Sequence, residues 1–141
     1  MKKTYKRLLI VMCGVVLVIF VGCGKTKEKD YYSEESNYVE VVGTVIHMAY
    51  YEDEMALYLG FSELNPKCED VNFKIVGKNL AIAQENGIEQ KIKLGDTIKF
   101  VTAPKCFGDG YVMPIVAVSV DGEVLLEFEE GFENFLEHLK K

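Results

Sequence analysis

The chain has 141 residues, 49% of them hydrophobic, with 16 basic and 22 acidic side chains and a formal charge of −6. That length suits one domain with a modest core. The acidic excess excludes phosphate backbones as partners, because nucleic-acid binders concentrate Lys and Arg, and an anionic membrane surface offers such a chain no attraction.

Lys2, Lys3, Lys6 and Arg7 precede an uncharged apolar run from Leu8 to Val21. About 20 apolar residues are needed to span a bilayer, and runs of about 10–14 are more often signal cores. A basic start, an apolar middle and a small residue before the cut match a secretory signal. The segment Phe20-Val21-Gly22-Cys23 resembles the lipobox of bacterial lipoproteins, with Phe20 where that family prefers Leu. The resemblance implies cleavage after Gly22, a diacylglycerol thioether on Cys23, and a place on the extracytoplasmic face of the cell membrane. An uncleaved N-terminal anchor is the alternative, and it puts the domain on the same side. Once residues 1–22 are removed, the 16 basic residues fall by four to 12 against 22 acidic, a charge of −10. Membrane attachment then rests on Cys23, where two acyl chains at about 0.8 kcal/mol per buried CH₂ hold firmly.

Residues 23–37 are polar and lack apolar periodicity, so they are expected to form a disordered tether, Tyr31 and Tyr32 included. Residues 38–141 form the domain. Tyr38 to Tyr51 is rich in β-branched and aromatic residues and predicts a strand, with Gly43 marking a bulge or bend. After an acidic turn at Glu52-Asp53-Glu54, Met55, Leu57, Leu59 and Phe61 alternate with Ala56, Tyr58 and Gly60. This is the sharpest period-2 pattern in the chain and predicts a half-buried strand with the first group inside.

A loop is expected over residues 62–70, then a short strand on Val71, Phe73 and Ile75. A helix follows from Asn79 to Asn86, with Asn79 as its cap and Gly87 as its stop. Gly95-Asp96 turns into a strand over Thr97 to Thr102, with Ile98 and Phe100 inside. Residues 103–110 form a loop. Tyr111 to Val120 is apolar on both faces and reads as a buried strand in which Pro114 demands a free edge or a bulge. Asp121-Gly122 predicts a hairpin and a return strand to Phe128. Phe132, Phe135, Leu136 and Leu139 fall on one face of a closing amphipathic helix.

The fold class is thus mainly β, with one internal helix and a C-terminal amphipathic helix, preceded by the signal segment and the tether. The order of the first five strands and the helix between the third and fourth resembles the OB-fold, a small Greek-key barrel whose long, bent first strand serves both sheets. The resemblance covers residues 38–120 and implies that ligands bind on the face around the second and third strands. Aromatic side chains placed there would stack on a sugar ring or a peptide.

No nucleophile–base–orienter set and no spaced metal ligands stand out, so neither enzymatic activity nor a metal or other cofactor is expected. Glu52, Asp53 and Glu54 read as a solvated turn, and Asp109 as part of a Gly-Asp-Gly turn. His47 reads as a partly exposed strand residue. The candidate ligand-binding residues are Tyr50, Tyr51, Tyr58, Lys105, Phe107 and Tyr111, weighed against the plainer reading that these aromatics are packing groups. Cys68 and Cys106 follow similar Pro-Lys pairs, and outside the cytoplasm such thiols can pair. A disulfide and two separate thiols both stay open. The expected function is a lipid-anchored, non-catalytic binding module of the cell envelope, whose partner is an envelope protein or glycan. The alternative is an enzyme acting on envelope polysaccharide, or its accessory subunit.

Overall fold

A computed structural model describes residues 24–68, 71–108 and 111–141. The signal segment and Cys23 lie outside these residues, as does Asp109.

The domain is mainly β and centres on one mixed sheet. Helix α1 (Gly24–Tyr32) and a 3-10 turn (Glu35–Asn37) lead into β1 (Val39–Tyr51), β2 (Ala56–Asn65) and β3 (Asn72–Val76). Helices α2 (Gly77–Glu85) and α3 (Ile88–Lys91) follow. The chain continues with β4 (Thr97–Thr102), β5 (Val112–Pro114), β6 (Ala117–Val120), β7 (Glu123–Leu126) and the closing helix α4 (Phe128–Leu139). The seven strands are ordered β5-β3-β2-β1-β4-β6-β7. All neighbours are antiparallel except β3 and β5. The ladder has β5 and β7 as its ends and does not close on itself, so the barrel expected from the sequence stands here as an open mixed sheet.

β1 is the longest strand and pairs on both sides, Val39–Thr44 with β4 and Val42–Tyr51 with β2. Its register with β2 shifts at Gly43, where two steps on β1 oppose three on β2. A Cβ on Gly43 would lie 2.8 Å from Leu64 Cδ2 and 3.1 Å from Phe61 Cδ1, so the glycine admits the β2 side chains where the ladder bends. A second shift lies between Val45 and His47, where Ile46 is the extra residue. One extra residue on each strand, on β2 opposite Gly43 and on β1 at Ile46, makes the pair coil strongly. This coil lets Val41 and Val45 face the same interior as Leu57, Leu59 and Phe61.

Two apolar layers result. Inside the curved sheet, Phe61 stacks on Phe100 with ring centroids 4.5 Å apart, and Phe73 meets both edge-on. Leu80, Ile88 and Ile92 bring α2 and α3 against this interior. The second layer lies on the outside of the sheet. There Ala56, Val76, Val112 and Val116 pack against Tyr32, Phe107 and Phe135. At its Ala56 end β2 is therefore covered on both faces rather than half-buried. Met55, expected inside, is 58% exposed at a positive φ of 53° in the turn before β2. Tyr111 stands outside the strand it was expected to begin, and Pro114 ends β5 on the sheet margin, where a missing N–H is tolerated. Asp121 and Gly122 both adopt positive φ, 51° and 81°, as a type I′ hairpin requires.

The 23–37 stretch differs most from its expectation. From Gly24 it is a helix and a 3-10 turn, not a disordered tether, and Tyr32 is fully buried. Asn79 also changes role. α2 starts two residues earlier, at Gly77, so Asn79 lies inside the helix. Its side chain is buried, donates to Gly131 O at 2.9 Å and accepts from Asn134 Nδ2 at 3.0 Å. It ties α2 to α4 instead of capping α2.

Candidate functional site

Past the Ile46 bulge, His47, Ala49 and Tyr51 pair with Gly60, Tyr58 and Ala56 of β2, and Tyr58 and Ala56 pair in turn with Lys74 and Val76 of β3. Ala56, Val76 and Tyr58 belong to the outer apolar layer, so this row of pairs lies on the outer face. The helices cover its Ala56–Val76 end. The other end is an open groove of about 270 Å³ lined by Ile46, His47, Gly60, Asn72 and Tyr111 among others. Gly60 forms its floor: a Cβ there would lie 3.2 Å from His47 Cβ and 3.3 Å from Asn72 Oδ1. Ile46 is 58% exposed and Tyr111 82% exposed. An apolar side chain, an aromatic ring, an imidazole and a carboxamide thus meet over a floor without a side chain. Such a mixture suits a ligand that stacks and hydrogen-bonds.

The six candidate residues are distributed over four places. Tyr111 lies at the groove. Tyr51 and Tyr58 meet edge-on at 5.2 Å beside it. Tyr58 donates to Glu54 Oε2 at 3.2 Å and accepts from Lys74 Nζ at 3.3 Å. The Lys74 ammonium stands 5.2 Å from the Tyr58 ring centre and 5.5 Å from that of Phe107. Burial, followed by the Glu54 contact, raises the Tyr58 hydroxyl above its ordinary pKa and keeps it protonated. Tyr50 is 39% exposed on the last turn of β1 and pairs with Leu57. Phe107 is buried, meeting Phe135 at 5.1 Å and Tyr32 at 6.4 Å, so it is a packing residue rather than a ligand platform. Lys105 sits with it, its ammonium 5.0 Å from the Tyr31 ring centre and its carbonyl accepting from Tyr32 Oη.

Cys68 and Cys106 are both half-buried and are not joined by a disulfide. Cys68 Sγ lies 3.7 Å from Pro66 O, and burial pushes its thiol pKa up. Among the described residues no three of His, Cys, Asp and Glu gather as metal ligands. A smaller hollow of about 160 Å³ over β1, β4, β6 and β7 is lined by Glu40, Lys99, Ser119, Glu127 and apolar residues, and by none of the candidates.

Ile46, Asn72 and Gly60 were not singled out by the sequence, and His47 was read there only as a partly exposed strand residue. Gly60 carried the one available signal, an interruption of the outward series Ala56, Tyr58. No protein-family model matches the chain, and neither a curated protein nor a solved structure matches it significantly.

His138 lies on α4 against Gly77 and stacked on Phe135, 6.4 Å between ring centres. Burial, then Lys141 and Lys74, lowers its pKa below the ordinary value. The unfolded chain therefore takes up this proton first as pH falls. Stability is expected to decline as pH drops through the ordinary imidazole value and on to the lower folded one. Urea midpoints at about pH 7.5 and about pH 5.5 check this, and His138→Gln should remove that part of the difference.

Proposed function

We propose that the protein is a bacterial lipoprotein, carried outside the cytoplasm by its N-terminal signal and held to the membrane through Cys23. Its domain serves as a non-catalytic binding module for an envelope protein or glycan, and nucleic acid is not its ligand. We further read the domain as OB-like. What supports this is the 112–120 segment, in which β5 pairs with β3 while β6 pairs with β4. At the joint between them Ile115 N–H donates to Lys74 O and Val116 N–H donates to Val101 O, each at 3.0 Å. One kinked segment thereby connects both flanks of β1, as the last strand of such a barrel does. The binding reading rests on one observation: the open groove over Gly60 lies on the β1–β2–β3 face, where folds of this layout take their ligands.

Two measurements test the proposal. Cys23→Ala is expected to abolish incorporation of a fed, labelled fatty acid; label retained by the variant would remove the anchor from this account. For the groove, soluble peptidoglycan fragments and envelope-protein peptides are titrated into isotopically labelled protein. Amide shifts are expected at His47, Gly60, Asn72 and Tyr111. The double variant His47→Ala/Tyr111→Ala is expected to bind at least about tenfold more weakly, equivalent to about 1.4 kcal/mol, with an unchanged melting temperature. Shifts confined to other faces would reject the groove as the site.

A further inference from the structure

Helix α1 is fastened to the domain at more than one point. The Tyr32 ring is fully buried and meets Phe135 and Phe107 edge-on, and its hydroxyl donates to Lys105 O. One turn earlier, Glu28 Oε2 accepts from Gly108 N–H at 2.9 Å. Between them, the Tyr31 ring lies under the Lys105 ammonium. Contacts at residues 28, 31 and 32 fix the direction of a nine-residue helix as well as its position.

That direction matters because of what precedes it. Residue 23 joins Gly24 through one peptide, about 3.8 Å between Cα atoms, and α1 rises about 13 Å from end to end. The Cα of Cys23 is therefore held within roughly 17 Å of a fully buried residue. Gly24, the first residue of α1, lies four residues before Glu28, about 6 Å along the helix axis. A random coil would hold the domain near the membrane without orienting it. A docked helix orients it.

We propose that α1 is a rigid strut between the acyl anchor and the domain, and that it lays Tyr111 on the bilayer surface. The proposal rests on the lipidation of Cys23 argued above. A diacylglycerol on the Cys23 sulfur puts that residue at the level of the lipid headgroups, a zone roughly 5–8 Å deep on each side of the hydrocarbon. Glu28 and its partner Gly108 then lie at or just above this zone. Tyr111 follows Gly108 by three residues, and the strand leading from it is joined back to this segment by Phe107 N–H donating to Val112 O at 3.0 Å. Its ring is 82% exposed, the most exposed large apolar group among the described residues. An amphipathic phenol is suited to a membrane–water interface. Because the covalent lipid supplies the attachment, a zwitterionic bilayer suffices despite the acidic domain. The groove, with Tyr111 on its rim, then opens beside the headgroups.

The chain contains no tryptophan, so a single introduced indole reports its own position. Full-length Tyr111→Trp is processed in a bacterial host, extracted and reconstituted into phosphatidylcholine vesicles brominated on their acyl chains. Val124→Trp, on an exposed site of β7, serves as the distant probe. The Tyr111→Trp protein is expected to lose about half of its indole emission, as befits an interfacial ring, and the Val124→Trp protein to lose none. Inserting about ten Gly/Ser residues between Gly24 and Lys25 leaves α1 docked but frees it from the anchor. Quenching of Tyr111→Trp should then fall to the level of Val124→Trp. Intact mass of each extracted protein reports the acyl chains separately. A diacylated Tyr111→Trp protein whose emission is unquenched, or quenching that survives the insertion, overturns the strut and leaves the anchor standing. A protein without acyl mass removes both.

Discussion

Gly131→Ala is expected to destabilise the domain by about 4 kcal/mol or more, against a helix-propensity change that favours alanine by roughly 1 kcal/mol. Gly131 lies in the second turn of α4 and is buried. A Cβ on it would penetrate the Val116 carbonyl oxygen and lie 2.8 Å from the Val116 carbonyl carbon. These are backbone atoms at the joint between β5 and β6, where Val116 N–H is already held by Val101 O. Neither can rotate away as a side chain could. Admitting the methyl group therefore requires α4 to lift off the sheet. Lifting it also separates Asn79 Nδ2 from Gly131 O, leaving a buried amide unsatisfied at a further cost of about 1–3 kcal/mol. Urea denaturation of Gly131→Ala beside Glu133→Ala, an exposed change in the same helix expected to stay within about 0.5 kcal/mol, makes the comparison. A Gly131→Ala midpoint equal to or above the parent value would mean that α4 does not pack this closely.

The glycine shows how far the sequence could be read and where it stopped. The periodic features were legible because they are local. Ile98 and Phe100, Phe73 and Ile75, the Asp121-Gly122 turn and the apolar face of α4 all follow from the spacing of side chains along one element. Gly43 could be recognised as a bend because a glycine within a β-branched run has few other uses. Three features needed tertiary context. Gly131 carries no signal in the sequence, and its role emerges only when Val116 is placed beneath it. Asn79 reads as a cap because its polar side chain precedes a helical pattern, and the Gly131 carbonyl it actually meets is 52 residues away. Tyr32 sits in a polar stretch with a hydropathy that predicts disorder, and only the apolar layer outside the sheet gives it a place. The groove was half legible. Tyr111 was a candidate, but Ile46 becomes exposed only because the ladder slips beside it, and a slip of that kind leaves no mark in composition.

Tyr32→Ala is the change with the largest expected effect outside α4. Its ring touches Tyr31 at 5.2 Å, Phe135 at 5.1 Å and Phe107 at 6.4 Å, all nearly perpendicular. Truncating a fully buried aromatic costs about 3–5 kcal/mol, and for a domain of this size that lowers the melting temperature by roughly 10–20 °C. Tyr32→Phe keeps the ring and removes only the hydroxyl that meets Lys105 O. It should cost about 1–2 kcal/mol. Burial, and then Glu28, drives the Tyr32 hydroxyl pKa far upward, so the donor stays protonated at any physiological pH. The ordering of the two variants separates two accounts of α1. If the helix only rests on the surface, both substitutions leave the melting temperature within about a degree or two of the parent, as surface changes do. If it is part of the outer apolar layer, Ala falls well below Phe, and amide exchange in residues 28–32 accelerates in Tyr32→Ala while β1, β2 and β4 stay protected. The second pattern is expected, because the α1 contacts converge on Phe107 and Phe135. Removing Tyr32 then opens a cavity between α4 and the sheet rather than a gap at its edge.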